Sequence, residues 1–167
     1  AGAAGDGLLL SRTQPRPTDA PDLTLAEIQQ PIVDAYLAAL PPGRAPRILG
    51  SRSVFVADRR EEAMRLAEIG LRPGVARLVA AGHVVRGDSL ADIIRAFDVH
   101  VGTPDDVVAS LKADRTLDRA TDIAVQVHSV DPPHPAILRS IELVATAVAP
   151  AFGWHPDAAP EPVRLRA

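Results

Sequence analysis

The chain has 167 residues, 47% of them hydrophobic, and a mean hydropathy of +0.07, values typical of a globular protein with about one domain. A net charge of −3 does not favour nucleic-acid binding, and the lack of cysteine excludes disulfide bonds, thiolate metal sites and a cysteine nucleophile. The cysteine count agrees with a cytoplasmic location, and because Glu142 and Thr146 interrupt the longest apolar run, we expect no membrane span.

The first predicted strand is Gly7 to Leu10, a short apolar run after the turn signal Gly5-Asp6-Gly7. The polar residues Ser11, Arg12 and Thr13 follow directly at its end. The chain opens on small residues of the kind found at the end of a helix, and we therefore expect it to be the later part of a longer protein.

The first predicted helix begins at a capping box, Thr24-Leu25-Ala26-Glu27, in which each end residue can satisfy a backbone N–H at the helix start. Its apolar face carries Ile32, Tyr36 and Leu40 at helical spacing. We expect Pro31 to bend this helix.

The second predicted strand is Arg47 to Ala57, and a helix follows almost without a loop. Asp58 is the expected N-cap of that helix, with Glu61 three residues further on. Residues 75–101 are predicted to be helical in two pieces, divided at Arg86-Gly87-Asp88, with Ser89 as the N-cap of the second piece.

Thr103 and Pro104 start the next predicted helix, since threonine favours the N-cap and proline the first helical position. The third predicted strand is Asp122 to Val127. The last helix is expected to start near Pro135 and to place apolar residues on one side: Leu138, Ile141, Val144, Ala145 and Val148.

Strands and helices thus alternate along the chain, and the three strands are largely apolar rather than strictly alternating. This pattern is typical of a parallel sheet covered on both faces, and it predicts an α/β fold.

Four stretches taken in order resemble one family: "GDGLLLSRTQPR", "APRILGSRSVFVADRREEAMRLAEIGL", "GTPDDVVASL" and "DIAVQVHSVDPPHPAILRSIELVATAVAPAF". Together they resemble the C-terminal part of the luciferase-like monooxygenases, FMN-dependent enzymes built on a TIM barrel. The resemblance covers almost the whole chain, and the order and spacing of the stretches are more specific than any one of them.

The resemblance implies a partial TIM (β/α)8 barrel in which the three strands are the sixth, seventh and eighth. Residues 1–154 would form this part of the barrel, and residues 155–167 a flexible tail. A complete barrel needs about 250 residues, so we expect about five preceding strand–helix units to be missing.

The implied function is oxidation of a small organic substrate by O2 and reduced FMN, which a separate flavin reductase could supply. We expect the chain alone to be inactive and to bind FMN weakly. Formation of a homo-oligomer is one possibility for its assembly. One alternative is a deazaflavin (F420) oxidoreductase; another is a non-enzymatic remnant, or a partner subunit that completes another barrel.

The candidate cofactor-binding residues are those at predicted strand ends: Ser11, Arg12, Thr13 and His128. Arg12 could bind a flavin phosphate or a substrate anion, or it could form a surface ion pair. His128 could contact a flavin or carry a proton, or it could be a structural histidine. We predict no metal site, because the spacing of His128 and His134 matches no usual ligand set.

Overall fold

The computed structural model describes residues 1–155, in which four strands form one parallel sheet. The strands are β1 (Leu8–Leu10), β2 (Ile48–Val56), β3 (Val99–Gly102) and β4 (Asp122–Gln126). The three predicted strands are confirmed with small changes at their ends, and so is their parallel direction. Residues 156–167, which hold all but the first residue of the predicted tail, lie outside the described part.

The long strand β2 is the centre of the sheet and uses both of its edges. Gly50 is paired with Leu10 of β1 and with Ile123 of β4, so these two strands lie on opposite sides of β2. Ser53 is paired with both Val99 and Gln126. The strands β1 and β3 therefore pair with successive parts of the same edge of β2. The chain after β1 turns away from the sheet.

Six α-helices connect and cover the strands in the described part of the chain. They are α1 (Leu25–Ala38), α2 (Arg60–Leu71), α3 (Val75–Ala80), α4 (Leu90–Ala96), α5 (Pro104–Lys112) and α6 (His134–Leu143). The capping box at Thr24 and the N-caps at Ser89 and Thr103 are confirmed, since each side chain accepts a backbone N–H of its helix.

The prediction that Asp58 caps α2 is wrong. The N-cap position is Arg59, which makes no side-chain capping bond. Both carboxylate oxygens of Asp58 instead accept hydrogen bonds from Arg139 of α6, at 2.6 and 2.9 Å. A charged partner on a neighbouring helix thus outcompetes the local backbone N–H groups.

The prediction that residues 75–101 form two helical pieces is wrong at their end, where Val99–Gly102 form β3. The helix α4 stops because Asp98 adopts a left-handed backbone conformation with φ of 51°. Val99 and Val101 then pair with the upper part of β2, and this pairing outweighs the helical pattern of the sequence before them.

The expected apolar face of the last helix is also partly wrong. Leu138 and Ile141 are exposed, whereas Ser140 and Leu143 are buried, together with Val148 in the turn that follows. The helical run continues from His134 to Phe152 through Glu142 and Thr146, and its length and mean hydropathy of 1.3 would suffice to cross a membrane. A single helix of this kind is weak evidence for a membrane span; 17% of its most apolar stretch is buried, and Leu143 and Val148 pack in one cluster with Val54 of β2.

The core is divided between the two faces of the sheet. Clusters around α1 and around α5 and α6 cover one face, through Leu10, Ile48, Val54 and Val56. On the other face, α2 and α4 cover Phe55 and Val99 at the C-terminal end of β2. The lower part of that second face leaves the side chain of Leu9 68% exposed.

Candidate functional site

A cleft of about 810 Å3 opens at the C-terminal ends of β1 and β4. One wall is the loop after β1, and the opposite wall is the loop after β4 with the end of α2. The start of β3 closes the back, because β3 takes the edge of β2 that β1 has left. The volume lies in the range of small-molecule and cofactor sites.

Arg12 and Thr13 reach this cleft from the end of β1. Within residues 1–155, the Nε of Arg12 is a buried donor without a hydrogen-bond partner. Ser11 stands beside the cleft, with its Oγ 3.2 Å from the Oγ1 of Thr13 and accepting the Thr13 N–H. The predicted cluster is thus assembled, with Arg12 as its unsatisfied member.

His128 lies on the opposite wall and is exposed. Its Nε2 is 2.6 Å from the Nε2 of Gln126, which also lines the cleft. The Oε1 of Gln126 is a buried acceptor with no partner in the described part of the chain. The cleft therefore holds both an unpaired donor and an unpaired acceptor, and buried polar atoms of this kind usually indicate a ligand or ordered water.

The loop after β1 is held to the back of the cleft by an ion pair. The Nη2 of Arg16 donates to both carboxylate oxygens of Asp98, at 2.6 and 2.8 Å. Burial raises the pKa of Asp98, against the lowering effect of Arg16. Because this carboxylate already accepts two bonds from Arg16, it does not neutralise Arg12.

The further charges that line the cleft are of both signs, because Asp131 after β4 adds a second carboxylate. Arg77 and His83 line it from the α3 region. Burial lowers the pKa of His83, and the charge of Arg16 lowers it further while Asp98 raises it, so the neutral imidazole is favoured near pH 7. With Asp98 engaged by Arg16, the cleft keeps Arg12 and Arg77 as cations beside the carboxylate of Asp131.

The close approach of α2 fixes the wall that carries His128. A Cβ placed on Gly70 would lie 1.5 Å from the carbonyl oxygen of Val130, so only glycine fits here. Val130 is fully buried in the cluster under α2 and lies two residues beyond His128.

The cleft residues that sequence reasoning missed include Ser53, Phe97, Asp98 and Gln126. Two of them had a signal. Ser53 and Gln126 are polar residues inside largely apolar strands, and both point to the same face because they are paired in register. Asp98 had none, since its place depends on the left-handed backbone that precedes β3.

No protein-family model and no curated protein matches the chain in sequence. Several solved structures match in fold. The monooxygenase RslO1 from Streptomyces bottropensis superimposes with a TM-score of 0.60 at 24% identity, over 90% of this chain and 43% of RslO1.

A second match is the oxygenating constituent of 3,6-diketocamphane monooxygenase from the CAM plasmid of Pseudomonas putida, a type II Baeyer–Villiger monooxygenase in complex with FMN. Its TM-score is 0.55 at 25% identity, over 75% of this chain and 40% of that one. Apo-MsnO8 matches with a TM-score of 0.50 at 21% identity, over 77% of this chain and 42% of MsnO8.

The chain therefore spans about two-fifths of the length of the structures it matches. Its parallel α/β sheet agrees with that shared fold. The resemblance to the luciferase-like monooxygenases, predicted from the sequence, is confirmed by these structural neighbours.

Proposed function

We propose that the chain is part of a flavin-dependent monooxygenase and that its cleft forms one wall of an FMN site. The observation that carries this proposal is the pair of unsatisfied buried atoms, Arg12 Nε and Gln126 Oε1, in two residues that line the same cleft. A structural neighbour in complex with FMN supports the choice of cofactor.

The residues present fit this cofactor chemically. FMN offers a phosphate and ring carbonyls as acceptors, and a ring N–H and ribityl hydroxyls as donors. Arg12 is the donor that would meet an acceptor of FMN, and Gln126 is the acceptor that would meet a donor. A charge-assisted bond from a buried guanidinium is among the stronger hydrogen bonds available.

When bound, reduced FMN would supply the centre that reacts with O2, so the protein needs no nucleophile of its own. Arg12 would orient the cofactor, and Phe97 and Leu71 of the cleft would keep water away from it. His128, exposed at the mouth with its Nε2 beside Gln126, would hold or transfer a proton. The substrate would be a small organic molecule, and reduced FMN would come from a reductase.

The architectural part of the proposal is that the sheet belongs to a TIM barrel completed by strands outside this chain. Leu9 supports it, because a parallel sheet is normally covered on both faces, whereas Leu9 is 68% exposed on this one. The lower sheet face would then be barrel interior, and the chain alone would lack most of the cofactor pocket. We also propose a cytoplasmic location.

The test is an FMN titration, followed by flavin fluorescence, of the purified chain alone and mixed with a separately produced N-terminal segment of a complete homologue. We expect weak binding by the chain alone and much tighter binding by the mixture. In the mixture, Arg12→Ala should weaken FMN binding by about tenfold to a hundredfold, the effect of losing a hydrogen bond to a charged group.

Arg44→Ala is the matched control. Arg44 lies at the other end of β1, where its Nε donates to the Gly5 carbonyl, and its loss should leave FMN affinity unchanged. Equal affinity of the Arg12→Ala variant and the wild type would refute the assignment of Arg12. Absence of FMN binding in the mixture, with F420 bound instead, would identify a deazaflavin enzyme.

A further inference from the structure

A series of buried side-chain hydrogen bonds lies directly behind the loop that carries Arg12. Its centre is Arg52 of β2, which is fully buried. The Nε of Arg52 donates to Asp114 at 2.6 Å, and its Nη2 donates to the Oε1 of Gln29 at 3.0 Å. Burying a guanidinium is costly, and for stability alone an apolar side chain of similar volume often serves as well.

Gln29 connects Arg52 to the loop at the cleft through two hydrogen bonds. It is fully buried in α1, and its Nε2 donates to the backbone carbonyl of Ser11 at 2.8 Å. That carbonyl belongs to the peptide group that joins Ser11 to Arg12. The bond therefore fixes the plane from which the Arg12 side chain departs.

The contacts of Gln29 require both halves of an amide. Its oxygen accepts from Arg52 and its nitrogen donates to Ser11, and among side chains of this length only glutamine combines the two. Arg52 orients the amide, because a guanidinium can only donate. The order of the contacts, from Asp114 through Arg52 and Gln29 to Ser11, is thus set by donor and acceptor chemistry.

We propose that Gln29, oriented by Arg52, is a positioning residue that holds Arg12 in the cleft in advance of ligand binding. The consequence for affinity rests on the proposed function, whereas the orientation of Arg12 can be measured without a ligand. Preorganisation of this kind lowers the ordering cost that a flexible arginine would pay on binding.

The experiment compares three variants of the purified chain by NMR of the arginine Nε–H groups, with Arg12→Lys used to assign the Arg12 signal. Gln29→Met removes both contacts. Gln29→Glu keeps an acceptor for Arg52 and removes the donor to Ser11. Gln30→Met is the matched control, because Gln30 is the next residue of α1 and accepts from Arg119 instead.

We expect the Arg12 Nε–H signal to shift and its heteronuclear NOE to fall toward that of exposed arginines in both Gln29 variants, with no change in Gln30→Met. In the mixture with the N-terminal segment, both should weaken FMN binding about tenfold, in keeping with the loss of one hydrogen bond. A purely structural role of Gln29 predicts an unchanged Arg12 signal in Gln29→Glu, and that result would overturn the proposal.

If the variants do not fold, hydrogen exchange of the Gln29 side-chain amide in the wild type tests the proposal. The side-chain amide of Gln29 should exchange much more slowly than that of Gln30, and equal rates would overturn the proposal. If FMN does not bind the wild-type mixture, the proposed function fails, while the Arg12 signal still decides the positioning role.

Discussion

At the scale of single residues, His100 links the sheet to α5 through a hydrogen bond whose direction depends on the protonation of the imidazole. Its Nδ1 lies 2.7 Å from the Oγ of Ser110. Burial is the main cause that lowers the pKa of His100 to about 4; the charge of Asp114 opposes this shift and that of Arg52 adds to it. The folded state therefore favours the neutral imidazole.

The stability of the fold should consequently fall in mild acid. Between the unfolded pKa of about 6.5 and the folded value of about 4, the unfolded chain binds more protons, so the free energy of unfolding rises with pH. The contribution of His100 is fully present above pH 6.5 and is lost as the pH falls to 4; its size is at most about 3 kcal/mol.

Urea unfolding at pH 7.5 and pH 4.5 measures this effect in the wild type and in His100→Asn, which keeps a polar group beside Ser110 but does not titrate. We expect the variant to lose less stability between the two pH values. An identical pH dependence of both proteins would contradict the assignment.

At the scale of elements, the contact between α2 and the loop after β4 depends on one missing side chain. Alanine usually stabilises a helix relative to glycine. Gly70→Ala should do the opposite, because its Cβ would stand 1.5 Å from the Val130 carbonyl oxygen and would force the loop that carries His128 outward. We expect a loss of about 1–3 kcal/mol, the usual cost of overpacking a core.

Gly74→Ala serves as the comparison for this prediction, since its Cβ would come only to 3.0 Å from the edge of the Phe97 ring. Thermal unfolding of the two variants should show a clearly larger loss for Gly70→Ala. Equal melting temperatures of Gly70→Ala and the wild type would show that the loop is free to move.

The elements also show what sequence reasoning can and cannot reach. The strands β1, β2 and β4 and the caps at Thr24, Ser89 and Thr103 were predictable, because their signals are local. The strand β3 was not, because it is only four residues long and begins three residues after the end of α4, so that its apolar residues extend the helical pattern.

Site residues divide in the same way. Arg12 and His128 follow strands directly and could be proposed from position, and the structure places both at one cleft. The buried role of Arg52 gave no signal, because an arginine within an apolar strand looks the same in sequence whether it faces solvent or an acidic partner.

At the scale of the whole molecule, substitutions of two adjacent leucines of β1 can show whether the sheet face that carries Leu9 is exposed to solvent. Leu10 is 1% exposed beneath α1, whereas Leu9 on the other face is 68% exposed. Leu10→Ala should cost about 3 kcal/mol in the isolated chain, as for other buried leucines. Leu9→Ala should change the free energy of unfolding by less than about 0.5 kcal/mol, as at a surface position.

The same pair distinguishes a free face from one that a partner covers. If strands outside the chain cover this face, Leu9→Ala should weaken association with the N-terminal segment of a homologue, measured by size-exclusion chromatography. A cost of Leu9→Ala as large as that of Leu10→Ala in the isolated chain would mean that the face is already covered.

The double pairing of β2 also bears on the order in which the protein is made. During synthesis, β1 and β2 emerge early and can pair, but the edge of β2 that receives β4 stays open until almost all the described chain has left the ribosome. An unpaired strand edge of this kind readily pairs with other chains. The nascent protein is therefore most exposed to misassembly along its central strand, which is the best protected strand once folding is complete.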